Sequence, residues 1–294
     1  MRELLFRLTR IDRRVIYGLV FFTVAAPFLL KRAPRVEITK EVRNVYEFIE
    51  NLPPGSRIVI SADYGPSSMP EIQPMLKAIC LHAFEKGHRV YLMTHWTYHG
   101  LIAGQEGLRD AVQQFNKEIR EGKHPERKDT LKYGVDYVVW GYRPGGVAVI
   151  VNLGKDISSV FLRDLRGNPI NSLPAMKGFK SLKDLGTMDE PKGILIGLEA
   201  GFTGETWLIY GQASDKYPAA MGATGVVAPV YYQYLQAGYL VGFLGGLKGA
   251  AEYEQLIGRP DAASLGMMSQ SMTHILIVLL IFLGNLGFFL TRRR

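Results

Sequence analysis

The chain has 294 residues, of which 47% are hydrophobic and 21% charged, a composition typical of folded proteins that excludes an intrinsically disordered chain. The net charge is +8, but residues 1–14 supply +3 and the arginines at 292–294 another +3, leaving +2 for the rest. This small charge, without an aromatic and basic stripe, argues against a nucleic-acid-binding domain. The single cysteine, Cys80, excludes an internal disulfide.

The first predicted element is an uncharged hydrophobic segment at residues 15–30, VIYGLVFFTVAAPFLL, behind a basic tail at residues 1–14. A helix needs about 20 residues to cross the hydrocarbon core, so the flanking arginines and lysine must snorkel. A cleaved signal peptide has the same charged start and apolar middle. We expect a transmembrane helix here.

Residues 36–270 are predicted to form one α/β domain, because apolar runs typical of strands alternate with helical patterns. The expected strands lie at residues 57–61, 89–93, 136–140, 147–151 and 192–198, and the expected helices at residues 70–85 and 101–120. This order predicts a Rossmann-like fold, a parallel or mixed sheet with helices on both faces. We expect residues 163–192, rich in Gly, Pro, Asn and Lys, to be a long surface excursion.

The stretch ISADYGPSSMPEIQP at residues 60–74 joins the first strand to the first helix, a corner that often holds a ligand in open α/β sheets. Ser67 or Ser68 is placed to cap that helix. Free N–H groups at its start can bind an anion, but Glu71 already supplies negative charge, and neither GxGxxG nor GxxxxGK[ST] is present. Helix capping is the favoured interpretation.

The second strand runs into THWTYH, with His95 and His99 four positions apart. Together with Asp63 these histidines can form a metal site, but Trp96 replaces the Glu of the HExxH motif. We therefore favour hydrogen-bonded or surface histidines and expect no metal and no cofactor. A candidate ligand site at the strand ends comprises Asp63, Tyr64, Ser67, Ser68, His95, His99 and Arg143.

Two acidic residues, Glu199 and Glu205, bracket Ala-Gly-Phe-Thr-Gly after the last expected strand. They suit a pair of catalytic carboxylates, and a solvated loop explains them equally well.

The segment at residues 237–257, AGYLVGFLGGLKGAAEYEQLI, is unusually rich in glycine. Each Gly in a soluble helix costs roughly 1 kcal/mol relative to Ala, so close packing must compensate, unless the segment is a strand, turn and helix or a ligand loop. We expect a tight packing or oligomer surface at Gly238, Gly242, Gly245, Gly246 and Gly249.

A second uncharged segment at residues 272–290, MTHILIVLLIFLGNLGFFL, is long enough to span a membrane and precedes a basic tail at residues 291–294. Within it, Asn285 lies between two glycines, Gly284 and Gly287, a pattern that favours a helix–helix contact. An asparagine at the level of the lipid headgroups is the alternative.

Basic residues near the two segments predict the orientation in the membrane. The outer flanks carry five arginines before the first span and three after the second, whereas the inner flanks carry Lys31, Arg32, Arg35, Lys40, Arg43 and, further away, Arg259. This excess places both termini in the cytoplasm. We expect a two-span protein of the cytoplasmic (inner) membrane with its main domain on the outer side.

The whole chain resembles a prokaryotic family of two-span membrane proteins with no assigned activity. The resemblance rests on LTRIDRRVIY at 8–17, LPPGS at 52–56, YGVDYVVWGYRPGG at 133–146 and YLQAGYLVGFLGGLKGAAEYEQLIGRP at 234–260. It implies an α/β domain between two anchors, and it implies no cofactor or catalytic residue.

From this layout we expect a membrane-anchored, non-catalytic structural or scaffold subunit of a membrane protein complex. Its partners are the lipid bilayer and other membrane subunits or further copies of itself, with no nucleic acid. The alternative is a membrane-anchored hydrolase or small-ligand receptor with its site at the strand ends.

Overall fold

The computed structural model describes residues 12–30 and 35–292. The chain divides into two units, one formed by Val36–Arg259 and the other by the segments on either side of it. Residues 1–11 and 293–294 of the predicted basic tails lie outside the described residues.

The described residues form eleven helices and one sheet of parallel strands. The helices are α1 Arg13–Leu30, α2 Lys40–Glu50, α3 Met69–Glu85, α4 Tyr98–Arg120, α5 Val147–Leu153, α6 Ile157–Val160, α7 Thr203–Thr206, α8 Ala213–Asp215, α9 Ala228–Gln236, α10 Gly246–Leu256 and α11 Ala262–Arg292. The strands are β1 Arg57–Asp63, β2 Arg89–Thr94, β3 Tyr137–Tyr142, β4 Gly193–Glu199, β5 Ala219–Ala223 and β6 Phe243–Gly245. Short 3₁₀ turns cover Pro66–Ser68, Ile170–Ser172, Pro174–Met176 and Leu182–Leu185, and a π-helical turn, Trp207–Gln212, joins α7 to α8.

The strands are ordered β3-β2-β1-β4-β5-β6 and all pairs are parallel. The chain builds outward from β1 to β3 and then returns to add β4 on the other side of β1. All seven residues of β4 are buried, as expected for a central parallel strand covered on both faces. The predicted α/β fold is confirmed, and the switch in strand order falls between β1 and β4.

Helix α4 lies unusually close to β1 because its first turns carry glycine. A Cβ added at Gly100 would collide with the backbone carbonyl of Ala62, and one at Gly104 would come within 2.8 Å of the Ala62 side chain. These glycines allow the helix backbone to rest on the sheet directly behind the end of β1. This close approach fixes the loop between β2 and α4 against β1.

One predicted strand is wrong. Residues 147–151 belong to helix α5, which buries Val149, Ile150 and Leu153 and leaves Val147 and Val151 each 37% exposed. A short apolar run cannot be assigned to strand or helix by periodicity alone, and only its packing decides.

The prediction of a surface excursion at residues 163–192 is correct for its many exposed residues and wrong for its apolar ones. Ile170, Phe179, Leu182 and Leu185 from this segment are buried in the cluster that covers one face of the sheet. The ring of Phe179 packs 5.0 Å from that of Tyr91 on β2. Polar and turn-forming residues separate these apolar side chains, so the segment covers the sheet without forming a long helix.

Helix α10 holds the chain that enters the α/β domain. Gln255 makes two hydrogen bonds to the backbone of Val36, at 2.8 and 3.0 Å. The buried Glu252 accepts the backbone N–H and the hydroxyl of Thr39, at 2.7 and 2.6 Å, and also pairs with Lys248. We call residues 36–39 with these three side chains the α10 clasp. The clasp binds the first residues of the α/β domain to α10, the last helix of that domain.

The second unit contains helices α1 and α11, which meet at Thr23 and Thr273, whose hydroxyl oxygens are 3.3 Å apart. Ser269 donates a hydrogen bond of 2.9 Å to the carbonyl of Val24. Both helices are long and apolar enough to cross a membrane, and only 6% of each apolar window is buried. A core helix of a soluble protein would be mostly buried, so this exposure indicates membrane association.

Candidate functional site

Two buried carboxylates mark the carboxyl ends of the central strands. Asp63 ends β1, Glu199 ends β4, and the two are register partners. Asp63 is 1% exposed and Glu199 is fully buried. In open α/β sheets, ligands bind outside the strand ends where the strand order switches, and this pair lies at that point.

Asp63 is surrounded by hydrogen-bond donors. Its Oδ2 accepts the hydroxyl of Ser61 at 2.6 Å and the indole N–H of Trp207 at 3.3 Å. Its Oδ1 accepts the hydroxyl of Thr94 at 2.8 Å and the backbone N–H of His95 at 3.2 Å. Burial raises the pKa of Asp63, but His95 and the two hydroxyls outweigh it, and the pKa lies below its ordinary value. Asp63 is therefore an ionised carboxylate.

The imidazole of His95 lies beside this carboxylate and is 4% exposed. Its Nε2 is 3.3 Å from Asp63 Oδ2, too poorly aligned for a hydrogen bond. The ring meets the indole of Trp207 edge-on, with centroids 5.3 Å apart. A carboxylate and an imidazole this close together are the kinds of group that general acid–base catalysis uses.

Glu199 holds the loop that follows β4. Its Oε2 accepts the backbone N–H groups of Gly201 and Gly204, at 3.2 and 3.3 Å, and the hydroxyl of Thr203 at 3.1 Å. Its Oε1 accepts the hydroxyl of Tyr231. Burial raises the pKa of Glu199 more than these hydrogen bonds lower it. Both carboxylates therefore bind the segment that follows β4. Glu199 contacts residues 201–204 and Asp63 contacts Trp207.

A cleft of about 560 Å³ opens beside His95, between the loops that follow β2, β3 and β4. Its walls are glycine, proline, aromatic and threonine residues, and His95 is the ionisable residue among the described residues that line it. The lining consists of His95, Trp96, Pro144, Gly145, Gly146, Gly201, Phe202, Thr203 and Thr206. This volume suits a small organic molecule.

Of the residues predicted to form a ligand site, the structure brings Asp63 and His95 together. Tyr64 is fully buried and donates a 2.5 Å hydrogen bond to Gln73, which makes it part of the packing under α3. Ser67 and Ser68 lie in the 3₁₀ turn before α3, and neither side chain caps that helix.

His99 and Arg143 are placed apart from the pair. His99 is exposed in the first turn of α4, where its backbone N–H is bonded to the hydroxyl of Thr97. The guanidinium of Arg143 donates to the carbonyl of Val160 at 2.8 Å and lies over the ring of Phe161. Among the described residues, no cluster of three or more His, Cys, Asp or Glu side chains is arranged to hold a metal ion.

Sequence reasoning missed Thr94 and Trp207 and left the role of Glu199 open. Thr94 directly precedes His95 at the end of β2, so its position at a strand end was a usable signal. Trp207 reaches Asp63 across 144 positions of chain, and nothing in its local sequence indicates that contact.

The glycine-rich segment forms a strand, a turn and a helix, β6 and α10. At Gly242 a Cβ would collide with the carbonyl of Glu41, and at Gly249 it would lie 2.9 Å from the backbone of Leu244. Gly246 has a positive φ of 58° at the turn. Gly238 precedes β6 and Gly245 is its last residue. Asn285 is exposed on α11, and the predicted oligomer and helix–helix contacts stay predictions.

Comparison with known proteins gave no match to a family model, to a curated protein or to a solved structure.

Proposed function

We propose that this protein is a membrane-anchored receptor for a small ligand, which binds in the cleft at the switch between β1 and β4. The observation that carries the proposal is the buried Asp63–His95 pair beside that cleft. Polar groups held rigidly beside an apolar cleft are the usual composition of a small-molecule site. His95 is the polar contact of the ligand, and the Asp63 carboxylate lies beside its ring.

The same pair supports hydrolysis as an extension of binding. An imidazole next to an ionised carboxylate is a general base, as in hydrolases that activate a nucleophile. The hydroxyl of Thr206, which lines the cleft, donates to the carbonyl of Thr203, and that of Thr203 donates to Glu199. Water is therefore the nucleophile that His95 would activate.

A thermal-stability screen tests the receptor proposal with the full chain in detergent. A ligand that binds the native state raises the unfolding midpoint in a concentration-dependent manner. We expect such compounds to lose their effect in the His95→Gln variant and to keep it in His99→Gln, an exposed histidine four positions away. If every stabilising compound acts equally on both variants, or if none is found, the proposal is wrong.

A second candidate function, a non-catalytic subunit of a membrane complex, has its own supporting observation. The carboxyl edge of the sheet exposes large apolar side chains: Trp96 is 47%, Tyr98 58%, Phe202 72% and Val226 90% exposed. Exposed aromatic and apolar clusters commonly mark surfaces that contact partners. The partners proposed are other membrane subunits or further copies of this chain, in the cytoplasmic membrane.

Native mass spectrometry in mild detergent tests the subunit proposal. We expect co-purifying chains or a homo-oligomer that dissociates in the double variant Phe202→Ser and Val226→Ser. Leu162→Ser, at a position 74% exposed, is the matched control. A monodisperse monomer without other chains would overturn this candidate.

A further inference from the structure

The strand order of this sheet is that of dinucleotide-binding folds, in which a phosphate group sits at the turn between β1 and the next helix. In this chain the residues of that turn are unsuited to binding a phosphate. Pro66 and Pro70 have no N–H to offer an anion. Glu71, in the first turn of α3, places its carboxylate 2.8 Å from the backbone N–H of Gly225, in the loop after β5. A phosphate at this turn would meet a negative charge.

The cleft beside His95 is also unsuited to an anion. Among the described residues that line it, none is lysine or arginine. The nearest basic residue in the sequence, Arg143, directs its guanidinium to the carbonyl of Val160 and the ring of Phe161 instead. The Asp63 carboxylate lies 3.3 Å from Nε2 of His95, so the pair presents no net positive charge to a ligand.

The walls of the cleft indicate the body of the ligand. Gly145, Gly146 and Gly201 leave flat backbone surfaces, and Trp96 and Phe202 present exposed aromatic rings. A charged ligand would lose its hydration against these walls without gaining an ion pair, and such a loss is costly.

We propose that the cleft takes an uncharged ligand with a planar, largely apolar body and one polar group that hydrogen-bonds to His95, and that it rejects nucleotides and other anions. The inference rests on the proposed receptor function and names the class of its ligand. A primary amide or an alcohol on an aromatic ring meets this description.

The test uses three probes of one shape and different charge: benzamide, benzoate and benzamidine. Saturation-transfer NMR with the full chain in lipid nanodiscs measures the affinity of each. Gly201→Phe blocks the cleft, because a Cβ at Gly201 meets open space and the new side chain is accommodated. Gly65→Phe is the matched control, since Gly65 also meets open space, does not line the cleft and follows β1 on the same sheet edge.

We expect benzamide to bind the wild type and Gly65→Phe, and to lose binding in Gly201→Phe. Benzoate and benzamidine should bind at least tenfold more weakly, a difference of about 1.4 kcal/mol. If benzoate or benzamidine binds as well as benzamide and Gly201→Phe blocks it, the receptor function stands and the charge inference fails. If Gly201→Phe changes the binding of no probe, the receptor function itself fails.

Discussion

Asp63 and Glu199 are register partners at the ends of adjacent parallel strands, and their pKa values are shifted in opposite directions. Burial raises the pKa of both carboxyls. Around Asp63, His95 and the hydroxyl donors lower the pKa more than burial raises it. Around Glu199, the hydrogen-bond donors lower the pKa less than burial raises it. Two acids at equivalent positions thereby differ in how tightly they bind a proton, a difference that can support distinct chemical roles.

Removing the negative charge of Asp63 should destabilise the domain. In Asp63→Asn, one side-chain oxygen becomes an amide N–H₂ that faces other donors, including the indole N–H of Trp207. Leaving buried donors unpaired costs about 1–3 kcal/mol per group, so we expect the free energy of unfolding to fall by roughly 2–4 kcal/mol. Chemical denaturation monitored by fluorescence measures this fall. Asp110→Asn, at an exposed position, is the control, and an equal effect in both variants would contradict the role of Asp63.

The raised pKa of Glu199 predicts a pH dependence of stability. Because the folded state binds this proton more tightly than the unfolded state, the contribution is fully present below the unfolded pKa, about 4.3, and is lost as pH rises through the folded value. Glu199→Gln cannot ionise and should not show that loss. We therefore expect the stability of the variant relative to the wild type to improve between pH 4 and neutrality. Unfolding midpoints across this range measure it, with Glu205→Gln as control, and a parallel pH profile would refute it.

A buried histidine on helix α3 gives the opposite pH dependence of stability. His82 on α3 contacts Tyr253 at 2.8 Å through Nδ1 and Glu50 at 2.9 Å through Nε2, and its ring stacks on Tyr46. Burial, opposed by Glu50, lowers the pKa of His82 to about 4. The neutral ring can donate to Glu50 and accept from Tyr253.

Replacing His82 should therefore matter most above its unfolded pKa of about 6.5. We expect His82→Ala to lower the free energy of unfolding by roughly 2–3 kcal/mol at pH 8 through lost packing and hydrogen bonds. As pH falls from 6.5 towards 4, the unfolded wild type takes up a proton that the folded state does not, so the difference shrinks. Denaturation at several pH values checks this. His99→Ala is the exposed control, and a difference that grows with acidity would contradict it.

The close approach of α4 to β1 should tolerate no side chain at Gly100. A methyl group there meets the backbone carbonyl of Ala62, which cannot move aside like the end of a flexible side chain. Overpacking costs typically 1–3 kcal/mol, and we expect Gly100→Ala to lose at least about 2 kcal/mol. Gly65→Ala, which meets open space, should be near neutral. Thermal unfolding of both variants measures the difference. Equal stabilities would contradict the prediction and show that helix α4 can shift away from β1.

The lone thiol allows the proposed membrane orientation to be measured. Cys80 is fully buried, and burial raises its pKa, so it should not react with a maleimide in the folded protein. A new cysteine at the exposed Ser67 should be labelled by an impermeant maleimide from outside intact spheroplasts. Labelling only after lysis would place the domain in the cytoplasm and reverse the orientation. Labelling of the wild type after denaturation is the control.

The sequence revealed the elements whose signal is local. Strands β1 to β4 are apolar runs, and α3 and α4 carry helical periodicity, so their approximate positions were predictable. Strands β5 and β6 were not, because AAMGA and FLG are too short and rich in small residues to show a pattern. They form because β4 offers an edge, and Gly222 on β5 fits closely against Leu198 and Met75.

The same distinction applies to the candidate site. Asp63 and His95 follow strand ends, a position at which parallel sheets gather polar groups, and sequence reasoning selected both. Trp207 and Tyr231 come to the carboxylates only through the folded path of the chain, 144 and 32 positions away. His99 was selected for its spacing from His95, but that spacing has meaning only within one helix, and α4 begins at Tyr98.

The α10 clasp has a mechanical consequence. It binds residues 36–39, where the chain enters the domain, and Arg259, just beyond the same helix, is tied to Glu118 and Glu85 at 2.6 and 2.9 Å. Tension applied between the two ends of the domain is thus borne by side-chain bonds on one helix and its neighbours. None of the residues that form these bonds lies in a strand or lines the cleft, so the connection between the entry and the exit of the domain does not run through the candidate site.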